Sequence, residues 1–338
     1  MSRVLRSRSF LAAAAVAAAV LLAVGLTAVR AEPVPALPEV SANRLVASAL
    51  SAVADRTPVS GRVSTRIDLG LPQIASSFGD AAGPAGGLLG DQTFKVWSSP
   101  DGIRVAQILF FGERDVVANG SDVWYWDSSL FTTWHLSVPV GRASPPHASL
   151  GALEMLVGRA LQAVAPYASV TEGDPAVVAG REAYLVTLTP TSPDTLVGHV
   201  DLAIDAQRRV PLRFEVFAKG HADPSVEVGF TSVDFGPVDR SVFEFTPPSG
   251  ATVKEVRPPT GQKMGESVGA PPEIRTFGTG FGLILAVRVS EVPKELRPLF
   301  PYSGPLGSAA LVDRADHSWL VAGAVSPGAL AEVEPKLP

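Results

Sequence analysis

Along most of this chain, apolar and polar residues alternate one by one. In "SGRVSTRIDLGL", Val63, Thr65, Ile67 and Leu69 oppose Arg62, Ser64, Arg66 and Asp68, the pattern of a strand with one apolar face. The stretch before it follows helical spacing instead. In "VSANRLVASALSAVAD", Leu45, Val46, Ala49, Leu50 and Val53 form one stripe behind a capping Ser41. "TFKVWSS", "GIRVAQILFF", "RDVVANG", "SDVWYWDSS" and "TTWHLSV" predict a meander of strands. A second striped helix follows, with Leu150, Leu153, Leu156, Val157, Leu161 and Val164 on one side. Beyond it lie "ASVTEG", "PAVVAGREAYLVTLTP", "GHVDLAID", "PLRFEVFA", "SVEVGFTSVDF" and "VFEFTPP". There Val200, Leu202 and Ile204 oppose His199, Asp201, Ala203 and Asp205. Leu212, Phe214 and Val216 oppose Arg213, Glu215 and Phe217, as expected of an antiparallel sheet packed on one face.

The breaks divide the chain. Pro100-Asp101-Gly102 and Asn119-Gly120 are turns in which glycine would supply positive φ. Residues 72 to 92 form a Gly/Ala-rich insertion, and residues 254 to 273 a linker or irregular crossing. Residues 274 to 338 hold two strand candidates, "GLILAVRVSEV" and "SWLVAGAV", and read as an appendage too short for a core of its own. The N-terminus is different again. Arg3, Arg6 and Arg8 precede an uncharged run from Phe10 to Val29, and Val29-Arg30-Ala31 offers a cleavage position. Residues 1–31 are read as an export signal cut after Ala31, with an uncleaved anchor as the alternative. Both place the rest outside the cytoplasm, because the arginines stay inside. Residues 32–39 are a proline-rich spacer.

Composition narrows the class. Of 338 residues 46% are apolar, enough for a substantial core, while 30 prolines and 31 glycines argue against a helical bundle. There is no cysteine, so an exported form must rely on its core, and it cannot be lipidated on an N-terminal cysteine. Removing residues 1–31 takes away four arginines, leaving 24 basic against 33 acidic side chains, a net charge of −9. That disfavours nucleic acid and anionic membrane surfaces as direct electrostatic partners.

Reactive chemistry is scarce. The five histidines are His135, His147, His199, His221 and His317, with no pair at metal-binding spacing and no H-E-x-x-H. There is no G-x-S-x-G elbow or P-loop, and "GTGFG" at 278–282 lacks a strand–helix setting. His199, Asp201 and Asp205 share the face opposite Val200, Leu202 and Ile204, and are read as solvated. Asp115, Asp122 and Asp127 are read as turn and edge residues. The chain is therefore expected to be no enzyme and to carry no cofactor or metal. One helix before a sheet and a second midway suit a single curved antiparallel sheet, with both helices on its concave apolar face.

Three stretches carry a family resemblance. "LVASALSAVADRTPVSGRVSTRID" resembles the opening helix and first strand of the LolA-like lipoprotein carriers. "VVANGSDVWYWDSS" is similar to that family's glycine-turn strand, with Trp124 and Trp126 in its aromatic places. "DRSVFEFTPPSGATV" resembles its ending F-x-F-x-P-P-x-G-x-x-V. Together they cover about residues 40–256, leaving 257–338 as a C-terminal extension with a few strands, packed on or beside the main domain.

The resemblance implies an α+β, mainly β fold: an unclosed antiparallel half-barrel capped by helices, whose interior receives acyl chains. It also extends to the sensor domain of a periplasmic sigma-factor regulator. The expected function is an exported carrier of lipid or lipoprotein acyl chains, acting as a monomer. The alternative is an extracytoplasmic sensor that binds a membrane partner such as an anti-sigma factor. A secreted hydrolase and a structural envelope protein with a filled core complete the field. By parity the expected lining is Ile67, Leu69, Ile103, Val105, Leu109, Val200, Leu202, Ile204, Leu212, Phe214 and Val216. Leu45, Leu50, Leu153 and Leu156 should face them, and Trp124 and Trp126 should form part of the wall.

Overall fold

The computed structural model describes residues 36–70, 90–120, 122–137, 165–256, 273–290, 292, 294 and 297–338. Residues 36–338 belong to one compact unit. The N-terminal apolar run, the 72–89 part of the Gly/Ala insertion and the second helix lie outside the described residues, and with that helix Leu153 and Leu156.

Helix α1 (Ala42–Ala54) is where the helical stripe places it, and it buries Ala42, Leu45, Val46, Ala49 and Ala52. The alternating stretches then build a twelve-stranded sheet. Its strands are β1 (Val59–Ile67), β2 (Gly90–Ser99), β3 (Gly102–Leu109), β4 (Gly112–Asn119), β5 (Asp122–Asp127), β6 (Thr132–Ser137), β7 (Ala168–Val178), β8 (Arg181–Pro190), β9 (Val197–Asp205), β10 (Pro211–Ala218), β11 (Pro224–Asp234) and β12 (Thr252–Val256). Their order is β12-β6-β5-β4-β3-β2-β1-β11-β10-β9-β8-β7. Two meanders thus join where β1 pairs with β11, antiparallel, Thr65 opposite Val228. Every other neighbouring pair is antiparallel too, except β12, which lies parallel to β6 at one edge. The sheet does not close on itself. The mainly β, unclosed half-barrel expected from the sequence is the fold observed.

Direct partners in a ladder carry their side chains on the same face. The register therefore traces one face across the whole sheet, from Leu202 and Phe214 through Val228 and Thr65 to Phe94, Gln107 and beyond. Helix α1 packs on this face, against β7 and β8. It is called the inner face below.

The C-terminal stretch corrects one expectation. It forms a second sheet of β13 (Ile274–Phe277), β14 (Ile284–Val289), β15 (Tyr302–Ser303), β16 (Ser308–Asp313) and β17 (Ser318–Gly323), ordered β13-β14-β17-β16-β15. It has a core of its own, in which Ile284, Ala286, Val312, Trp319 and Val321 meet Leu330, Val333 and Leu337. The last three come from helix α2 (Pro327–Ala331) and the chain end, which cover the sheet. Ser326 caps α2 by accepting from the Ala329 amide, and Pro327 sits in its first turn. This terminal lid, invisible as a strand pattern, supplies the missing half of the core. The second sheet also touches the first. Phe281, Leu306 and Ala324 join the cluster under α1, and the Leu196 amide donates to the Ala324 carbonyl at 2.8 Å.

Candidate functional site

Seven of the expected lining residues come together on the inner face. Leu45 and Leu50 of α1 join one cluster with Val200, Leu202 and Ile204 of β9 and Phe214 and Val216 of β10. Tyr184, Val186 and Leu188 of β8 fill the remaining space. The helix thus covers this part of the sheet, with Leu50, Phe214 and Val216 left partly exposed at its margin.

The other half, β2 to β6, differs. Val96, Val105, Val116, Tyr125 and Trp134 stand side by side in one row across five strands. A second row holds Ser98, Ile103, Ala118, Val123 and Leu136. Val105 and Val116 are buried, but Val96, Ile103, Val123, Tyr125, Trp134 and Leu136 remain partly exposed. Ile67 and Leu109 are partly exposed on the same face. A polar row borders the strip, in which buried Gln107 donates to Gln92 at 3.0 Å and Arg114 pairs with Asp127 at 2.8 Å. The sequence reading missed Tyr125, Trp134, Val96 and Val116. Two-residue turns preserve parity across a hairpin, so following Val105 through its partners would have found them.

Trp124 and Trp126 are corrected. Their partners are Val117 and Asp115, so they lie on the outer face, opposite Ile103 and Val105. There Trp124 supports the crossing segment of the third family-like stretch, and Trp126 packs edge-on against Phe131. Trp124 stacks on His135 at 3.8 Å and lies 5.5 Å from Phe245. Phe243 is fully buried against Gly102, and Asn119 Nδ2 donates to its carbonyl at 2.7 Å. Gly102 is therefore required by close approach: a Cβ there would meet Phe243 and the Ala118 carbonyl at 2.7 Å. Its φ is not positive, unlike the +55° of Gly120.

Other expectations shift for local reasons. Leu212 sits at a β-bulge between Pro211 and Arg213 and joins a separate cluster with Val59, Val63, Ala203 and Phe230. Leu69 lies past the end of β1, where its carbonyl accepts from Tyr302 of the second sheet. Asp115 is no edge residue. It is 1% exposed and ion-paired with Arg104 beneath the Val242 carbonyl. Asp205 and Ala203 are fully buried, not solvated. Asp205 anchors the β9–β10 turn by accepting from the Gln207 and Arg208 amides and from Arg181. Burial would raise its pKa, but those bonds outweigh it and hold the carboxyl below its usual value.

His135 lies on the outer face between two carboxylates. Its Nε2 meets Asp122 at 2.8 Å and its Nδ1 meets Glu255 of β12 at 3.0 Å. Burial pulls its pKa down, and the two carboxylates more than reverse this, so it lies above the ordinary 6.5. Among the described residues no group of three or more acidic or histidine side chains is arranged to hold a metal. The buried carboxylates Asp115, Asp127 and Asp205 are each paired with an arginine. A cavity of about 390 Å³ opens between the two sheets, lined by Tyr167, Thr191, Asp194, Phe277, Glu332 and Lys336 among others. Among the described residues, none of the expected lining residues reaches it.

No protein-family model matches the chain, and no curated protein matches it in sequence. Solved structures do match. A chain of the Pseudomonas aeruginosa MucA/MucB complex aligns with a TM-score of 0.51 at 13% identity, over 87% of this chain and 96% of that one. A LolA superfamily protein from Nitrosomonas europaea is also matched, over 61% of this chain and 99% of that one, with a TM-score of 0.26 and 11% identity. So is the Mycobacterium tuberculosis lipoprotein LppX, over 59% and 99%, with a TM-score of 0.32 and 11% identity. At 13% identity, the alignment with a chain of the MucA/MucB complex shows a shared fold.

Proposed function

We propose that this chain is an exported, non-enzymatic binding protein of the LolA-like fold, which holds the acyl chains of a lipid or lipoprotein along the inner face of β2–β6. The supporting observation is the strip of partly exposed Ile103, Val123, Tyr125, Trp134 and Leu136, next to a part of the same face that α1 covers. Holding an acyl chain needs apolar surface and no reactive group. At about 0.8 kcal/mol per buried CH₂, a chain of roughly 14 carbons offers about 11 kcal/mol before entropy losses. The strip provides such surface, and Gln107, Gln92 and the Arg114–Asp127 pair at its border could receive a polar headgroup. The test is organic extraction and mass spectrometry of the purified protein, with titration by a fluorescent fatty acid. Copurifying lipid and saturable uptake are expected; a bare polypeptide that takes up nothing removes the reading.

A second reading has one observation in its favour. The likeness to a chain of the MucA/MucB complex extends over both sheets, not the large one alone. On that basis the protein acts as an extracytoplasmic sensor that binds a membrane-protein partner. A deletion strain with unaltered envelope-stress transcription would dismiss it.

A further inference from the structure

We propose that the β3–β4 and β5–β6 turns form a membrane-contacting tip, which inserts aromatic side chains into the apolar border of a lipid bilayer. Phe110 and Phe111 make the two-residue turn between β3 and β4 and are 91% and 92% exposed, more than any other large apolar side chain among the described residues. Their rings touch edge to face at 4.5 Å. The β5–β6 turn lies beside them, tied on by the Glu113 amide donating to Ser128 Oγ and the Ser128 amide donating to the Glu113 carbonyl. It adds Leu130 and Phe131, 64% and 48% exposed, and Ile108 sits at the end of β3.

Turn chemistry does not explain the two phenylalanines. The β7–β8 turn uses Ala179 and Gly180 at φ +51° and +73°, and the β4–β5 turn has Gly120 at +55°. Such conformations match the twist of a hairpin, and small or glycine residues reach them most easily. Neither Phe110 nor Phe111 has a positive φ. This tip gives up the favoured turn residues for two large rings held in water.

The shape and charge of the tip select the partner. The Phe110 and Phe111 rings project from a two-residue hairpin turn. Residues 108–112 and 128–131 carry no charge; the exposed Glu113 follows them, and Arg114 beyond it is neutralised by Asp127. The chain as a whole has net charge −5, so attraction to anionic headgroups does not contribute. What is left is apolar insertion by exposed aromatic rings, which suits the border between headgroups and acyl chains. This inference stands apart from what the inner face binds, and either could fail alone.

The chain has no cysteine, so one introduced thiol gives a unique label. The full chain carrying Ser129→Cys and an environment-sensitive fluorophore is mixed with phosphatidylcholine vesicles. A label at Gln207→Cys, in the β9–β10 turn at the opposite end of the sheet, is the control. The expected result is a blue shift at 129, none at 207, and at least about a tenfold loss of the shifted fraction when Phe110→Ser and Phe111→Ser are added. The label reports only its own turn, so attachment of the chain to the vesicle elsewhere does not produce this pattern. Retained circular dichroism confirms that the variants fold. A label at 129 that stays in water on vesicle-bound protein overturns the proposal. So does a shift that survives the double substitution, or one that grows with protein concentration without vesicles.

Discussion

The two arms of the large sheet are covered from opposite sides. On β8–β10 the inner face is closed by α1, and Leu45, Leu188, Leu202 and Ile204 lose all contact with solvent. On β3–β6 the crossing segment lies on the outer face, where Val117, Thr133 and Phe243 are buried with Trp126 and Asp115. The inner face there stays half open. One alternating pattern can thus serve two packings, depending on which segment crosses the strand. A helix covers one arm from inside, and the Arg240–Phe243 turn covers the other from outside.

That contrast can be broken by mutation. Phe243→Ala should be the most damaging change, costing about 3–5 kcal/mol in urea unfolding, since it removes a buried ring from the outer layer. Leu202→Ala should cost about 2–5 kcal/mol for the same reason beneath α1. Ile103→Ala, on the half-open strip, should cost at most about 1 kcal/mol yet weaken fatty-acid uptake. Equal destabilisation by Ile103→Ala and Phe243→Ala would erase the distinction between the faces.

The smallest effect should come from His135, which links β5, β6 and β12 on the outer face. Its folded pKa lies above the unfolded value of 6.5, so its stabilisation is complete below that pH and fades as pH rises through the folded value. Wild type should exceed His135→Gln by under about 1 kcal/mol near pH 5.5, and the gap should shrink by about pH 9. A gap that widens with pH would reverse the sign.

The sequence made the strands, helix α1 and the half-barrel legible, because burial on one face imposes period two and helical packing imposes a stripe. Leu45, Leu202 and Phe214 were readable by parity for that reason. Which face a crossing segment covers is a tertiary fact, and no local period records it. Trp124 and Trp126 were therefore placed on the wrong side, although hairpin parity opposes them to Val105. Leu212 escaped because a bulge interrupts the count, and Asp205 because a turn-forming carboxylate can be buried once its bonds are made. The C-terminal core was hidden because half of it comes from α2 and the last residues, which do not alternate.

Tryptophan quenching reports directly on what binds along the inner face of β2–β6. A stearic acid bearing a nitroxide near its methyl end is added to the wild-type protein, to Trp134→Phe and to Trp124→Phe. Trp134 points to the inner face and Trp124 to the outer. The account predicts saturable quenching that is lost in Trp134→Phe and kept in Trp124→Phe. Quenching that survives in Trp134→Phe and vanishes in Trp124→Phe, or no quenching in any of the three, would contradict it.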